Sequence, residues 1–368
     1  MINMVGRKTA MSHSKFWLGA ILAAGLASAL PAQETAPDSE PDLENLTLES
    51  TGSGEVAVRS AVLAARESGE QIAADSEGAR VFGGRPAREG AWPAIVSLHS
   101  ADIPDYSRES LFRSQFCGGT VITNQWVLTA AHCVVSDEGD VSAPDSVLIR
   151  GHSNILDSGV LYEAEGIYAH AGYDRRTVDN DIALIKLSQP VQADGRIDTI
   201  PLITANSAAP EGPAVVAGWG MMENERFPSA LMETDIRVVT NSTCNRGMAE
   251  QTKREIGGFL LSMGRANRIP MEVLNEAYGR LIANLGPALT GNMICAGVPT
   301  GRQTSCNGDS GGPLMMQAAD GEWLQVGIVS WGREPLGADS SCGHQDLYAV
   351  YTRVSNYLGW IENVIANY

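Results

Sequence analysis

The octapeptide Cys306-Asn-Gly-Asp-Ser-Gly-Gly-Pro313 sets one serine, Ser310, between an aspartate and two glycines. A small hydroxyl in so permissive a backbone suggests a tight turn that presents a nucleophile. Asp309 beside it either polarises the serine or does a separate job. A serine is a weak nucleophile alone. Acyl transfer needs a base within hydrogen-bond reach and a group that orients that base. Two other stretches supply those types: Leu128-Thr-Ala-Ala-His-Cys133 holds His132, and Asp179-Asn-Asp-Ile-Ala-Leu-Ile-Lys-Leu187 holds Asp181 at the head of an apolar run. Singly, His132 reads as a satisfied core histidine, Asp181 as a strand cap and Gly-Asp-Ser-Gly-Gly as a turn. Together, in the order His, Asp, Ser, they read as a proton-relay triad.

The rest of the chain suits that chemistry. It has 368 residues, 44% hydrophobic and 19% charged, ample for a large core. A net charge of −17 argues against nucleic acid as a partner. Residues 1–32 carry Arg7, Lys8 and Lys15 and no acid, then the apolar run Phe16–Leu30, and read as a signal peptide cut after Ala29 or Ala32. The alternative is an uncleaved anchor, but 15 residues is short for a membrane span. The expected location is therefore secreted or periplasmic, with no membrane span once the signal is removed.

Residues 33–80 contain eleven acids, three arginines, no aromatic and no cysteine. Such a composition resists packing and reads as an acidic propeptide, with one weakly helical piece over 55–74. From Val81 on, short apolar runs separated by turn residues indicate many antiparallel strands, an all-β fold. Two regions depart from this. Apolar residues at helical spacing over 248–286 predict a helical hairpin between Cys244 and Cys295, an insertion spanning about 246–290. It either packs on its own body or recruits a partner or substrate. Val354, Leu358, Ile361 and Ile365 predict a closing C-terminal helix. Six cysteines behind an export signal favour disulfides, with fifteen possible connectivities, and none has zinc spacing. No cofactor, metal site or calcium loop is expected.

Over about 81–245 and 291–368 the chain resembles the chymotrypsin-like (trypsin-fold) serine endopeptidases. The motifs that carry the likeness are VFGG, LTAAHC, DNDIALIKL, GWG, MICAG, CNGDSGGP, SWG and VYTRV. The resemblance implies two six-stranded antiparallel β-barrels within 81–368, with the triad in the cleft between them. It implies that Ser310 attacks the peptide carbonyl, His132 moves the proton, Asp181 fixes the imidazole, and the Gly308 and Ser310 amides form the oxyanion hole. It implies the disulfides Cys117–Cys133, Cys244–Cys295 and Cys306–Cys342, and a backbone-pairing substrate edge at Ser330 and Gly332.

The resemblance also answers the question of Asp309. In this family its counterpart receives the ammonium freed by activation, here Val81 after cleavage at Arg80 by another protease. Val81 and Phe82 stand where isoleucine and valine are commoner. Thr304 occupies the floor of the specificity pocket, Gly332 its wall and Ala349 its base. A neutral floor implies preference for an uncharged, apolar, medium-sized side chain. Asp339 and Asp346, in the long loop 332–349, either reach inward or are solvated acids. The expected protein is a monomeric secreted zymogen acting on protein or peptide substrates; the alternative is an inactive binding protein on the same fold.

Overall fold

In the computed structural model the described residues are 58–68, 82–223 and 225–368. The expected signal peptide and the cleavage point Arg80–Val81 lie outside them. Among the described residues no helix is long and apolar enough to cross a membrane.

Strands β2 (Ile95–Ser100), β3 (Gln115–Thr123), β4 (Trp126–Thr129), β5 (Val147–Gly151), β6 (Val160–Ala169) and β7 (Ala183–Leu187) close into one barrel in the order β2-β3-β4-β7-β6-β5. All its pairings are antiparallel. Strands β8 (Gly212–Gly218), β9 (Met232–Val239), β10 (Met293–Gly297), β11 (Pro313–Gln317), β12 (Trp323–Trp331) and β13 (Ala349–Arg353) form a second ring, closed by the β8–β9 pairing. The two-residue strand β1 (Arg85–Pro86) adds to β9. The two six-stranded barrels expected from the sequence are therefore present. Apolar residues of the short strands line their interiors: Leu98, Val121, Leu128, Ile149 and Leu184 fill the first, and Val216, Val238, Ile294, Leu314 and Tyr351 the second, all essentially without exposure.

The closing helix, α5 (Leu358–Asn367), buries Ile361 and Val364, while Val354 belongs to a preceding 3-10 turn. The insertion is a hairpin of α3 (Asn241–Asn267) and α4 (Met271–Ala283). Its first helix starts seven residues earlier than the apolar periodicity indicated, because the Thr240 hydroxyl caps the Thr243 amide and Cys244 sits inside the first turn. The two helices pack through Leu274 against Gly264, where a Cβ would come within 2.3 Å of the leucine. Arg333 ties the hairpin to the loop after β12 by donating to the Thr252 hydroxyl at 2.6 Å and pairing with Glu255.

One reading needs correction. Residues 58–68 of the segment expected to resist packing form a docked helix, α1 (Val58–Ser68), lying against β3, a short helix α2 (Arg108–Ser114) and the 3-10 turn of His132. Val62 and Arg66 are buried, Arg66 fully. The composition argument failed here because it counts an arginine as a solvated charge, whereas Arg66 finds partners inside the protein.

Candidate active site

His132 sits in the 3-10 turn Ala131–Cys133, directly after β4. Asp181 lies just before β7 and is fully buried, its approach set by Asn180 at φ 57°. The carboxylate grips the histidine twice: Oδ2 is 2.7 Å from His132 Nδ1, and Oδ1 accepts from the His132 amide at 2.9 Å. Two further groups hold Asp181. The Ser330 hydroxyl donates to Oδ2 at 2.5 Å, and the Thr352 hydroxyl donates to the Asp181 carbonyl at 2.6 Å. Burial works against the charged carboxylate. The charge and hydrogen bond of His132, then the Ser330 hydroxyl, outweigh it and keep the carboxyl below its ordinary range.

Ser310 is buried at the end of the loop that enters β11. Its carbonyl accepts from the Gly118 amide at 2.7 Å, on β3. One residue before Gly118, Cys117 is bonded to Cys133, the neighbour of His132. On its other side the serine loop meets β12: Gly311 donates to the Val329 carbonyl and Val329 to that of Gly312, next to Ser330. Ser310 is thus bracketed by backbone ties one residue away from supports of both His132 and Asp181. Gly311 has to be glycine: its φ is +79°, and a Cβ would lie 2.2 Å from Thr129 Oγ1.

Gly308 takes φ +96°, and its carbonyl accepts from Gln115 Nε2 at 3.0 Å, while the N–H of the same peptide, that of Asp309, donates to the Cys306 carbonyl at 3.0 Å. Asp309 is buried, and its carboxylate accepts from the backbone amides of Gly220 at 2.7 Å and Cys306 at 2.9 Å. Burial nevertheless pushes its carboxyl up to about 6, against those two amides and the field of Arg66. The Asp309 carboxylate is therefore engaged by backbone amides on both of its oxygens. Phe82 is seated nearby. Its carbonyl accepts from the Thr304 amide at 3.2 Å, and its ring fills the space beside Gly343, where a Cβ would lie 2.0 Å from the ring. The absence of a side chain at 343 is what lets a phenylalanine stand at 82.

Thr304 and Ala349 are buried, and Gly332 is exposed, with open space where its side chain would be. Next to Thr304 in the chain, the Ser305 hydroxyl lies 3.1 Å from that of Tyr351. Asp339 and Asp346 are both exposed, and Asp346 faces a surface hollow with Arg246 and Arg254, so the solvated reading holds for each. The disulfides are Cys117–Cys133, Cys244–Cys295 and Cys306–Cys342, the pairing that the resemblance implied. Among the described residues one group of potential metal ligands gathers, Cys117, Cys133 and His132, and its two sulfurs are bonded to each other. Sequence reasoning missed the roles of Thr352, Gln115 and Arg66. It placed Ser330 on the substrate edge but not on Asp181. Nothing in the local sequence marks these hydroxyl and amide contacts.

Residues 81–361 match the family model described as Trypsin. Trypsin of Xenopus laevis is 32% identical over 291 residues, which are 78% of this chain and 91% of the frog protein. Mannan-binding lectin serine protease 1 of Homo sapiens is 30% identical over 306 residues, covering 78% of this chain and 36% of the human protein. Transmembrane protease serine 11G of Rattus norvegicus is 29% identical over 287 residues, covering 77% of this chain and 55% of the rat protein. The chain thus spans nearly all of one of these relatives and about half or less of the other two. With two closed antiparallel barrels, these likenesses establish that the chain belongs to the trypsin family and is a serine endopeptidase.

Proposed function

We propose that the protein hydrolyses peptide bonds through an acyl-enzyme on Ser310. The observation that carries this reading is the double clamp of Asp181 on His132, at 2.7 and 2.9 Å, which commits Nδ1 to the carboxylate and makes Nε2 the nitrogen that would exchange a proton with the serine. Nε2 takes the Oγ proton as the Oγ–carbon bond forms, then gives it to the leaving amine as the C–N bond breaks. Water, deprotonated by the same nitrogen, repeats the attack and frees the acid. The oxyanion is stabilised by the amides of Gly308 and Ser310; one such donor contributes about 3 kcal/mol in the transition state.

The chain acts as a zymogen in this account. Cleavage after Arg80 frees the Val81 ammonium to pair with Asp309, whose buried carboxyl needs a cation to ionise without cost. The seating of Phe82 supports it, since the Thr304 amide holds the second residue of the cut chain against the body of the enzyme. The apolar run at 16–30 supports export, and the product is a monomer. The buried neutral Thr304, open Gly332 and buried Ala349 support cleavage after apolar residues such as Leu, Met, Tyr or Phe. An enzyme of that preference does not cut at Arg80, so a second, arginine-specific protease activates it. Hydrolysis of a peptide library by processed wild-type and Ser310→Ala protein tests the reading. Apolar-directed cleavage lost in the variant supports it; equal cleavage by both refutes Ser310 as the nucleophile, and cleavage by neither supports a binding protein instead.

A further inference from the structure

Helix α1 is more than a passenger in the removed segment. Its two arginines grip the body of the enzyme at opposite ends. Arg59 lies over the Phe116 ring at 4.3 Å and donates to the Ser142 hydroxyl at 3.3 Å and the Ser146 carbonyl at 3.2 Å. Arg66 enters a closed pocket made wholly of enzyme residues. It donates to the Trp219 carbonyl at 2.6 Å and sits against the rings of Phe227 at 4.1 Å and Phe112 at 5.1 Å. A Cβ on Gly308 would lie 3.7 Å from its Nη2, so the guanidinium reaches the back of the serine loop. Arg113 holds the end of the helix through the Glu67 carbonyl at 2.5 Å.

The position of α1 matters as much as its anchors. The proposed substrate edge, Ser330–Gly332, meets the serine loop through Val329, and β3 meets that loop from the other side through Gly118, so a leaving chain that continues past Ser310 runs toward Phe116 and the Cys117–Cys133 bridge. That floor, β3 and the His132 turn, is the one on which α1 lies. A helix seated there and an extended leaving chain exclude each other. We propose that α1 is a built-in, reversible inhibitor that covers the leaving-group side of the cleft, anchored by Arg66 in the Phe112–Phe227–Trp219 pocket, and that it stays bound after the chain is cut at Arg80.

This inference rests on Ser310 being the reacting serine. The segment has no cysteine, so nothing covalent retains it after the cut, and release of α1 becomes a second activation step. Arg66 approaches the loop from the Gly308 side, whereas Phe82, the second residue of the cut chain, is held at Thr304.

The test uses the full chain with an enteropeptidase site in place of residues 76–80, cut so that Val81 becomes the terminus. Two readouts follow: gel filtration at micromolar concentration, and hydrolysis of an acyl-side ester with a small leaving group against a peptide extended five residues beyond the scissile bond. The wild-type fragment should co-elute with residues 81–368, and the extended peptide should be cut at least ten-fold faster by Arg66→Gln than by wild type, with ester rates within two-fold. Arg59→Gln, at the half-exposed end, should give a smaller gain and serves if Arg66→Gln does not fold. A wild-type fragment that separates freely, or equal extended-peptide rates in all three, overturns the proposal. If no variant hydrolyses either substrate, the Ser310 reading has failed, and co-elution alone decides whether α1 is a bound segment.

Discussion

The Ser330 hydroxyl and the His132 imidazole share one oxygen, Oδ2 of Asp181, at 2.5 and 2.7 Å. Ser330 therefore supports the Asp181–His132 pair directly, beyond the substrate-edge role proposed for it. A hydrogen bond to a charged group contributes about 1.5–3 kcal/mol. Ser330→Ala leaves the Asp181 backbone contacts intact, so kcat should fall about ten-fold with KM for a short substrate little changed. Steady-state kinetics check this; a pure KM effect would assign Ser330 to the substrate edge alone.

Asp181→Asn tests the clamp itself. An amide in this position still accepts from one side but presents N–H groups where Nδ1–H must donate, which favours the wrong tautomer. The expected loss in kcat is about four orders of magnitude, with folding retained because the Thr352 contact is to the backbone carbonyl. Circular dichroism alongside kinetics separates the two effects.

The pocket floor predicts a change of preference. Thr304→Asp places a carboxylate in a buried site with no cation of its own, so cleavage after Arg or Lys should appear and cleavage after apolar residues should drop by ten-fold or more. On the proposed apolar preference, the wild-type enzyme should not cut its own precursor. Ser310→Ala proenzyme incubated with active enzyme should remain intact at Arg80; rapid cutting there would refute the neutral-pocket reading.

Asp309 gives the uncleaved chain a pH dependence. Its carboxyl stands at about 6 when folded, against an ordinary value near 4, so its contribution to stability is full below about pH 4 and is lost as pH rises through 6. Two units correspond to on the order of 3 kcal/mol. Two titratable groups act with it. Arg66, lowered to about 9 by burial, stays a cation through this window and favours the ionised carboxylate. Tyr351 is pushed up by burial and stays neutral. Arg66→Gln in the Ser310→Ala proenzyme should lower Tm more at pH 8 than at pH 4.5. An equal deficit at both would mean that Arg66 contributes packing alone.

Legibility tracked how local each signal was. His132, Asp181 and Ser310 stand in short motifs whose neighbours do the framing: Cys133 bridges to Cys117, Ile182 and Leu184 anchor the first barrel, and Gly308 and Gly311 supply positive φ. These survive as sequence. The start of α3 was misjudged because a hydroxyl cap at Thr240, not an apolar stripe, begins it. The docking of α1 was invisible because it depends on a cavity assembled from Phe112, Trp219 and Phe227, which are more than a hundred residues apart at the extremes. No property of Arg66 in the linear chain announces such a pocket.

The central claim is that Ser310 is the activated nucleophile, and adduct mapping tests it most directly. Protein with Val81 as its terminus is treated with a fluorophosphonate and digested, and the modified peptide is located by mass spectrometry. The account predicts a single adduct on Ser310, lost in His132→Ala. Active protein that hydrolyses peptides while carrying its adduct elsewhere, or none at all, would contradict it.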